Sequence, residues 1–551
     1  MNASLPASAE PKIYRCGTLS YTGRGLIVLF AWMLWGDFCF TLMEAVVPSI
    51  LPLKLRSLDS PNILIGLIMT TLPGIFNVTV TPWLSFKSDR YRSRWGRRLP
   101  FIISTVPFIS LALIAIGFSG DLGAWVHGRF FGAGTFSQAQ VTIVLLAVFA
   151  AAFDLFNMFV NTVYWYLFND VVPKEWLGRF MGWFRLVGIS SASCYNIFVF
   201  QYAESHMREI FLGAALLYFV GFGVMCLRIK EGQYPDPVDD GNRVGPIEKI
   251  KIFARECFTI RYYWDIFLTY TFAALATCIY VFQVFMLKSL GLTLGDIGKL
   301  AGFSTITVPL FFLFSGWLVD RWHPVRVFSY LAAFELCVIF ANWMWLFIPL
   351  PPAFLFVSLA ALNGAFFGAL FRAVYDTAGM VRLMVLFPKE QFGQFSGAMA
   401  LVRAVAIILG GVLAGAYVDL WKHFFPKENF AYRFNFLWLG VLMGVSFYFQ
   451  YRTYRAWKRL GGVEAYQAPT TNFRLKDLLP HPGDDGKIVW GLVGVTAVAM
   501  LGNLISSLVW LGYYIWKEPN QSYAFVSGMA VMFTVISYAI YLWFIKFMER
   551  P

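Results

Sequence analysis

Residues 173–187 read PKEWLGRFMGWFRLV, and residues 388–402 read PKEQFGQFSGAMALV. Eight of the fifteen positions are identical: Pro173/Pro388, Lys174/Lys389, Glu175/Glu390, Gly178/Gly393, Phe180/Phe395, Gly182/Gly397, Leu186/Leu401 and Val187/Val402. The two copies stand 215 residues apart throughout. A shorter echo precedes each copy. WLSFKSDRYRSRWGRR ends at residue 98 and GWLVDRWHPVR at residue 326, setting Asp89-Arg90 against Asp320-Arg321. Chance likeness between apolar helices is common, but matched charged turns at equivalent places are not. The chain therefore reads as two similar halves.

Between these turns the chain is too apolar for a soluble protein. Of its 551 residues 58% are hydrophobic and 14% charged, with mean hydropathy +0.63; soluble domains carry roughly a quarter charged residues. A bilayer span takes about 20 apolar residues. Reading such runs gives fourteen helical cores, at 25–53, 62–86, 100–118, 140–168, 178–201, 209–228, 264–288, 296–319, 325–349, 353–386, 393–418, 434–452, 488–516 and 522–546. The fold class expected is all-α and membrane-integral. The repeat makes it two parallel six-helix bundles about an axis normal to the membrane, plus two additional C-terminal helices. Gly178, Gly182, Gly393 and Gly397 are expected to allow close helix approach, and Gly410, Gly411 and Gly415 to form a small-residue contact.

Charge sets the expected topology. The net charge of +13 lies between apolar spans rather than on one module, which argues against a nucleic-acid partner. With the N-terminus inside, the inside segments hold about threefold more Lys and Arg than the outside ones, so both termini are expected in the cytoplasm. Arg185, Arg372 and Arg403 remain inside the spans. The organisation expected is an N-terminal bundle at 1–229, a cytoplasmic linker at 230–262 and a C-terminal bundle at 263–455. A second linker follows at 456–487, then the additional helix pair at 488–551. The linker at 230–262 holds Pro235, Pro237, Asp239, Asp240, Gly241 and an amphipathic stretch from Ile247 to Phe258. No cleavable signal peptide is expected, because the first apolar run is too long. The seven Cys are scattered, without metal-ligand spacing, and read as small buried hydrophobes. Neither metal nor cofactor is expected.

The loop from Ser88 to Ile102, SDRYRSRWGRRLPFI, closely resembles that of glycoside–pentoside–hexuronide cation symporters and sucrose-transporter-like proteins of the major facilitator superfamily. Asp37-Phe38-Cys39-Phe40 with Glu44-Ala45 resembles a stretch in the first helix of sucrose-transporter relatives. Asp154 and Asp170-Val171-Val172-Pro173 resemble the two ends of that group's fourth helix. The resemblance covers roughly residues 25–455. It implies a secondary transporter in the plasma membrane (the inner membrane if the source is bacterial), working by alternating access. Melibiose-type members hold sodium partly through an Asp-Pro in helix 2. Here Thr81-Pro82 stands in that place, which puts a sodium site of that kind in doubt. Trp165 stands where sucrose-type relatives have an Arg.

A charge within the bilayer costs several kcal/mol unless it has a partner, a cavity or a task. Span 1 carries Asp37 and, seven residues on, Glu44 on the same face. Span 4 carries Asp154, Asn157, Asn161 and Tyr164 as one stripe. Span 10 carries Arg372 and Asp376 at i,i+4, and span 11 adds Arg403. These residues are the candidates for substrate or proton binding. Carboxylates and amides bond sugar hydroxyls, Trp and Tyr faces pack on a sugar ring, and a buried carboxylate can take a proton near neutral pH. Arg372 or Arg403 is the candidate counter-charge to a span 1 or span 4 carboxylate. Other readings stay open for single residues. Arg372–Asp376 also fits a structural ion pair, Asp37 a structural partner of an Arg, and Glu44 a place near the outer mouth. The gating candidates are Asp89, Arg90, Arg94, Gly96, Arg97, Arg98, Asp320 and Arg321, with Arg185 either gating or structural. Glu335 reads as structural. The five His fall in loops or at span ends.

The expected function is secondary active transport, with proton-coupled symport of a sugar as the leading reading. A facilitator-type carrier for a non-sugar solute, an exporter and a transporter-like sensor remain alternatives. An enzyme would need a nucleophile or metal constellation such as HExxH, and the sequence holds none. A gate at Asp89 makes one prediction. Asp89→Asn slows transport while substrate affinity stays within a few fold, and unchanged transport rates in proteoliposomes would count against the gate.

Overall fold

The computed structural model describes residues 13–131, 136–233, 246–343, 353–388, 391–425, 431–473, 488–517 and 521–549. Long apolar runs have no water to serve their backbone groups inside a bilayer, so they close their hydrogen bonds as helices. Among the described residues eleven helices are long and apolar enough to cross a membrane. They become twelve if Leu294–Phe312 and Phe314–Trp322, bent by 62°, form one span. Two further helices that the sequence reads as spans, Lys174–Cys194 and Asn435–Arg459, fall outside that group. The first carries Arg179 and Arg185 along its length, and the second ends in Arg452, Arg455, Lys458 and Arg459. The chain packs as two compact units, residues 1–47, 76–192 and 206–240, and residues 48–75, 193–205 and 241–551.

The helices of the first half are α1 (Gly23–Ser57), α2 (Asn62–Gly66), α3 (Leu72–Arg90), α4 (Leu99–Gly117), α5 (Ser119–Val126), α6 (Gln138–Val171), α7 (Lys174–Cys194), α8 (Met207–Leu217) and α9 (Gly223–Arg228). A π-turn at Leu67–Thr71 joins α2 to α3. In the first unit α4 packs on α6 and α8. Its interior is aromatic: Tyr164 and Phe168 on α6 meet Phe184 on α7, and Tyr164 also meets Phe222. The buried hydroxyl of Tyr164 donates to the Met33 carbonyl of α1 at 2.9 Å. Ahead of α1, Tyr14–Cys16 and Leu19–Tyr21 form an antiparallel hairpin.

The second unit takes the far part of α1 from Pro48, all of α2, and residues 193–205. It adds α10 (Pro246–Phe258), α11 (Arg261–Thr277), α12 (Gln283–Ser289), α13 (Leu294–Phe303), α14 (Val308–Trp322), α15 (Pro324–Ala341), α16 (Ala353–Leu362), α17 (Gly368–Leu386), α18 (Phe392–Phe424), α19 (Asn435–Arg459), α20 (Trp490–Lys517) and α21 (Gln521–Met548). α11 packs on α18 and α19, α14 on α17, and α15 on α17 and α19. The helix α10 covers the amphipathic stretch from Ile247. Residues 234–245 of the first linker and 474–487 of the second lie outside the described residues.

Small residues decide where backbones meet. A Cβ on Gly66 would stand 1.9 Å from the Gly411 carbonyl oxygen, and one on Gly415 would stand 2.4 Å from that of Asn62. The expected contact at Gly410, Gly411 and Gly415 is therefore present: Gly411 and Gly415 bring α18 against α2, and Gly410 faces Cys278 beyond α11. The expected close approach at Gly182, Gly393 and Gly397 is not: among the described residues no atom lies within 4 Å of a Cβ built there. In the repeat the buried ring is what recurs, with Phe180 and Phe395 both almost fully enclosed.

The C-terminal helix pair is fastened by a buried carboxylate. α20 and α21 pack on each other, and both touch α15. Just past α21, Glu549 accepts from the Tyr330 hydroxyl of α15 and the Tyr454 hydroxyl of α19, both at 2.6 Å, and from Lys458 Nζ at 3.0 Å. Glu549 is 3% exposed and Lys458 5%. Removing one partner of such a pair strands the other charge, at about 3–5 kcal/mol, whereas replacing both with apolar groups is often neutral. Glu549→Gln is thus expected to lower the melting temperature in detergent clearly. The double change Glu549→Leu/Lys458→Met should recover most of that loss, and equal losses in the two proteins would refute the account.

Candidate functional site

Within the first unit the span 1 carboxylate Glu44 meets the amide stripe of span 4. Glu44 Oε1 accepts from Asn161 Nδ2 at 3.1 Å and Asn157 Nδ2 at 3.4 Å. The stripe Asn157/Asn161 follows from the helical period, so α6 presents two amides to one carboxylate of α1. Asp37, two turns before Glu44 on α1, is 1% exposed. Its Oδ1 accepts from Thr41 Oγ1 at 3.3 Å, while Oδ2 finds no donor among the described residues. The Asn157 carbonyl oxygen is likewise buried without a donor. The charged groups acting on Asp37 are Glu44 and Arg185, the latter on the exposed face of α7. Asp154 lies one turn before Asn157 on α6 and is partly buried. Tyr164, with its hydroxyl on Met33, is enclosed by the aromatic core rather than open to a cavity.

In the second unit Arg372 and Asp376 of α17 and Arg403 of α18 are exposed at mid-helix positions. A charge there facing lipid would be costly, so that face is suited to water or solute. Asp376 and Arg403 also border a cavity of about 510 Å³, together with Tyr270, Tyr375 and Gln450. Glu335 on α15 is half-buried, and its Oε2 has no donor among the described residues. Arg382, near the end of the apolar run at 353–386 and not among the residues the sequence singles out, is fully buried on α17. Its guanidinium lies 4.5 Å from the Phe328 ring centroid and 5.5 Å from that of Tyr270. Its Nε and Nη2 have no acceptor among the described residues. Its position four residues before the end of a helix resembles a loop cation, so sequence alone gave no signal of its burial.

The loop after α3 is held by a carboxylate clamp inside the first unit. Arg97 makes a two-pronged contact with Asp170, Nε to Oδ2 at 2.9 Å and Nη2 to Oδ1 at 2.6 Å. Arg98 reaches the same carboxylate at 3.2 Å and donates to Ser88 Oγ at 2.6 Å. Glu231 accepts from the backbone N–H groups of Arg97, Arg98 and Leu99 at 2.8, 2.9 and 2.5 Å, capping α4 where the helix dipole favours an anion. Gly96, at φ +106°, makes the turn, and a Cβ there would strike the Glu231 side chain. Arg94 is exposed over Trp95, as Arg321 is over Trp317, and Asp320 is exposed. The side chains of Asp89 and Arg90 lie outside the described residues. Asp170 and Glu231 were missed as clamp residues, because their partners stand 73 and 134 residues away. At the equivalent turn of the second half, burial and the neighbouring Arg326 push His323 down to about 4, so it stays neutral near pH 7.

Over residues 55–455 the chain matches the family described as PUCC protein. Shorter stretches resemble plant sucrose carriers. Sucrose transport protein SUT1 of Oryza sativa subsp. japonica is 45% identical over 49 residues, 9% of either chain. Sucrose transport protein SUC3 of Arabidopsis thaliana is 35% identical over 89 residues, 16% of this chain and 15% of that one. The chain thus spans at most 15% of the length of these two relatives. Among solved structures, a bacterial homologue of the human lysosomal transporter Spinster superposes with TM-score 0.55 at 12% identity, covering 78% of this chain and 97% of that one. The D-xylose–proton symporter superposes with TM-score 0.54 at 12% identity, covering 78% and 98%. These likenesses show the fold, which is that of major facilitator transporters.

The clamp makes a prediction about order in the loop. Glu231→Ala removes three acceptor contacts from the start of α4, and Asp170→Asn removes the charge between two guanidiniums. Both should raise the rate of tryptic cleavage at Arg92 and Arg94 several-fold, and unchanged digestion would refute the clamp.

Proposed function

We propose, for a chain that belongs to the PUCC protein family, proton-coupled symport of a sugar by alternating access. The observation that carries this reading is the arrangement around Asp37 and Glu44. Glu44 is held by two amides, while Asp37 is enclosed with one oxygen lacking a donor. A carboxylate so placed is costly as a bare anion and is suited to bind and release a proton. The amides of Asn157 and Asn161 serve as donors to Glu44, and their carbonyl oxygens are left to accept from a hydroxylated solute. Thr81-Pro82 in α3 supplies no carboxylate for a sodium ion, which favours the proton. Asp154 is the second candidate proton site. The short stretches shared with sucrose transport proteins and the fold shared with the D-xylose–proton symporter lend support to a sugar.

A solute that carries its own carboxylate is a second reading. Arg403 on the wall of the 510 Å³ cavity and the uncompensated Arg382 behind it favour an anionic group there.

Reconstituted vesicles test both readings. With an imposed pH gradient the wild type should accumulate labelled sucrose or another glycoside above equilibrium. Asp37→Asn or Asp154→Asn should reduce accumulation to equilibrium, with downhill exchange surviving in at least one of them. Accumulation driven by sodium alone, or full uphill transport in both variants, would reject proton coupling. Uptake competed by glucuronides and not by neutral glycosides would favour the second reading.

A further inference from the structure

The helices after residue 487 help to close another cavity, of about 290 Å³, near the roughly 300 Å³ at which ligand pockets begin. It lies wholly within the second unit, where α20 and α21 meet α12, α15 and α16. Its polar lining consists of amides and hydroxyls. Gln283, Asn342, Asn363 and Asn503 supply the amides, and Ser506, Ser507 and Thr534 the hydroxyls. No lining residue is charged.

The wall along α20 is fixed. A π-turn at Asn363–Phe367 breaks the regular helix before α17, an irregularity that frequently marks functional positions. From it Asn363 Nδ2 donates to Asn503 Oδ1 at 2.5 Å. A Cβ on the adjacent Gly502 would stand 2.4 Å from Asn363 Oδ1, so the glycine permits this approach. Ser507 donates to the Asn503 carbonyl at 2.9 Å, and Thr534 to that of Ala530 at 2.9 Å. The rest of the polar lining is unsatisfied. The amides of Gln283 and Asn342, and the Ser506 hydroxyl, make no side-chain hydrogen bond among the described residues. Apolar surface completes the lining, with the Phe356 and Trp510 rings stacked at 6.5 Å and 17°.

Free donors and acceptors together, without a counter-charge, suit a ligand that is itself uncharged and offers both. A charged ligand would lose its hydration with nothing to replace it. Sugar hydroxyls are both donors and acceptors, and the C–H face of a sugar packs on aromatic rings. We propose that this cavity binds an uncharged polyhydroxylated group, either a free sugar or the glycosyl headgroup of a lipid, at a place separate from the carboxylates of α1 and α6. The inference does not rest on the transport reading, since no residue is shared between the two sites.

The test is photolabelling of the full chain in a detergent without sugar headgroups. One probe is a diazirine-bearing alkyl glucoside and the other a diazirine-bearing free glucose, with cross-links mapped by mass spectrometry. Saturable labelling of peptides from α16, α20 or α21 is expected. Labelling by the alkyl glucoside alone assigns a lipid headgroup, and labelling by both assigns a free sugar. Ser506→Trp, which fills the cavity, should cut this labelling about tenfold, the scale of one or two lost buried hydrogen bonds. Asp37→Asn should leave it unchanged. The milder Thr534→Val should cut it by a smaller factor, which keeps the comparison available if Ser506→Trp does not fold. No saturable labelling of those helices in the wild type, undiminished labelling in the folded variants, or equal labelling by a sulfated counterpart would overturn the proposal.

Discussion

A polar group inside hydrocarbon has no water to bond, and an unmet one costs several kcal/mol. That constraint orders the whole chain. It turns every apolar run into a helix, and it sorts the charged side chains into two kinds. Arg97, Arg98, Asp170 and Glu231 satisfy one another, as do Lys458, Glu549, Tyr330 and Tyr454. Such closed sets hold helices in place. Asp37 Oδ2 and the Nε and Nη2 of Arg382 are enclosed yet unmet. Stability alone gives no reason to keep them. These open valences are what sets Asp37 and Arg382 apart from the closed sets.

The closed sets also show how the two halves of the repeat diverged. Both halves keep a PKE turn ahead of a helix with a buried Phe, at 180 and 395, and an earlier Asp-Arg turn, at 89–90 and 320–321, where they differ. In the first half the turn is long enough for Gly96 to fold it back on Glu231. In the second half Pro324 follows His323 directly and starts α15 at once. That shorter turn has no room for the same clamp. The bundle is instead braced from outside, through Tyr330 of α15 and the carboxylate that follows α21. The additional helix pair thus stands in structural terms where the loop clamp stands in the first half.

Much of this architecture was legible from pattern. The apolar runs marked the helices, because a helix depends on neighbours within a few turns, whereas the compact units take residues 48–75 and 193–205 of the first half into the second unit. The stripe Asp154, Asn157, Asn161 could be read as one face, and Asn157 and Asn161 do meet Glu44. What the pattern missed depends on distant partners. Arg382 looks like an end-of-span cation until Phe328 and Tyr270 enclose it. Glu231 looks like linker charge until the start of α4 arrives 134 residues away in sequence. The glycines show the same limit. Gly182 and Gly411 are equivalent in kind, yet only Gly411 has a backbone against it. A small residue permits an approach, and only the packed partner decides whether one occurs.

The contact at Gly411 brings two backbones together. α2 and α18 meet through backbone at Gly66, Gly411 and Gly415, where a Cβ would stand within 2.4 Å of a carbonyl oxygen. Asp419 completes the contact by accepting from the N–H groups of Asn62 and Ile63 and from Asn62 Nδ2, at 3.3, 3.0 and 2.7 Å. These are the free donors at the start of α2, where an anion is favoured by the helix dipole. Asp419 itself is only half-buried, so its carboxylate keeps contact with solvent while it caps α2. The Glu549 set differs, because its lysine and carboxylate are both buried and separation would strand them. Within one unit, then, the same element of chemistry, a carboxylate accepting three donors, caps one helix where it is half-buried and fastens three helices together where it is enclosed.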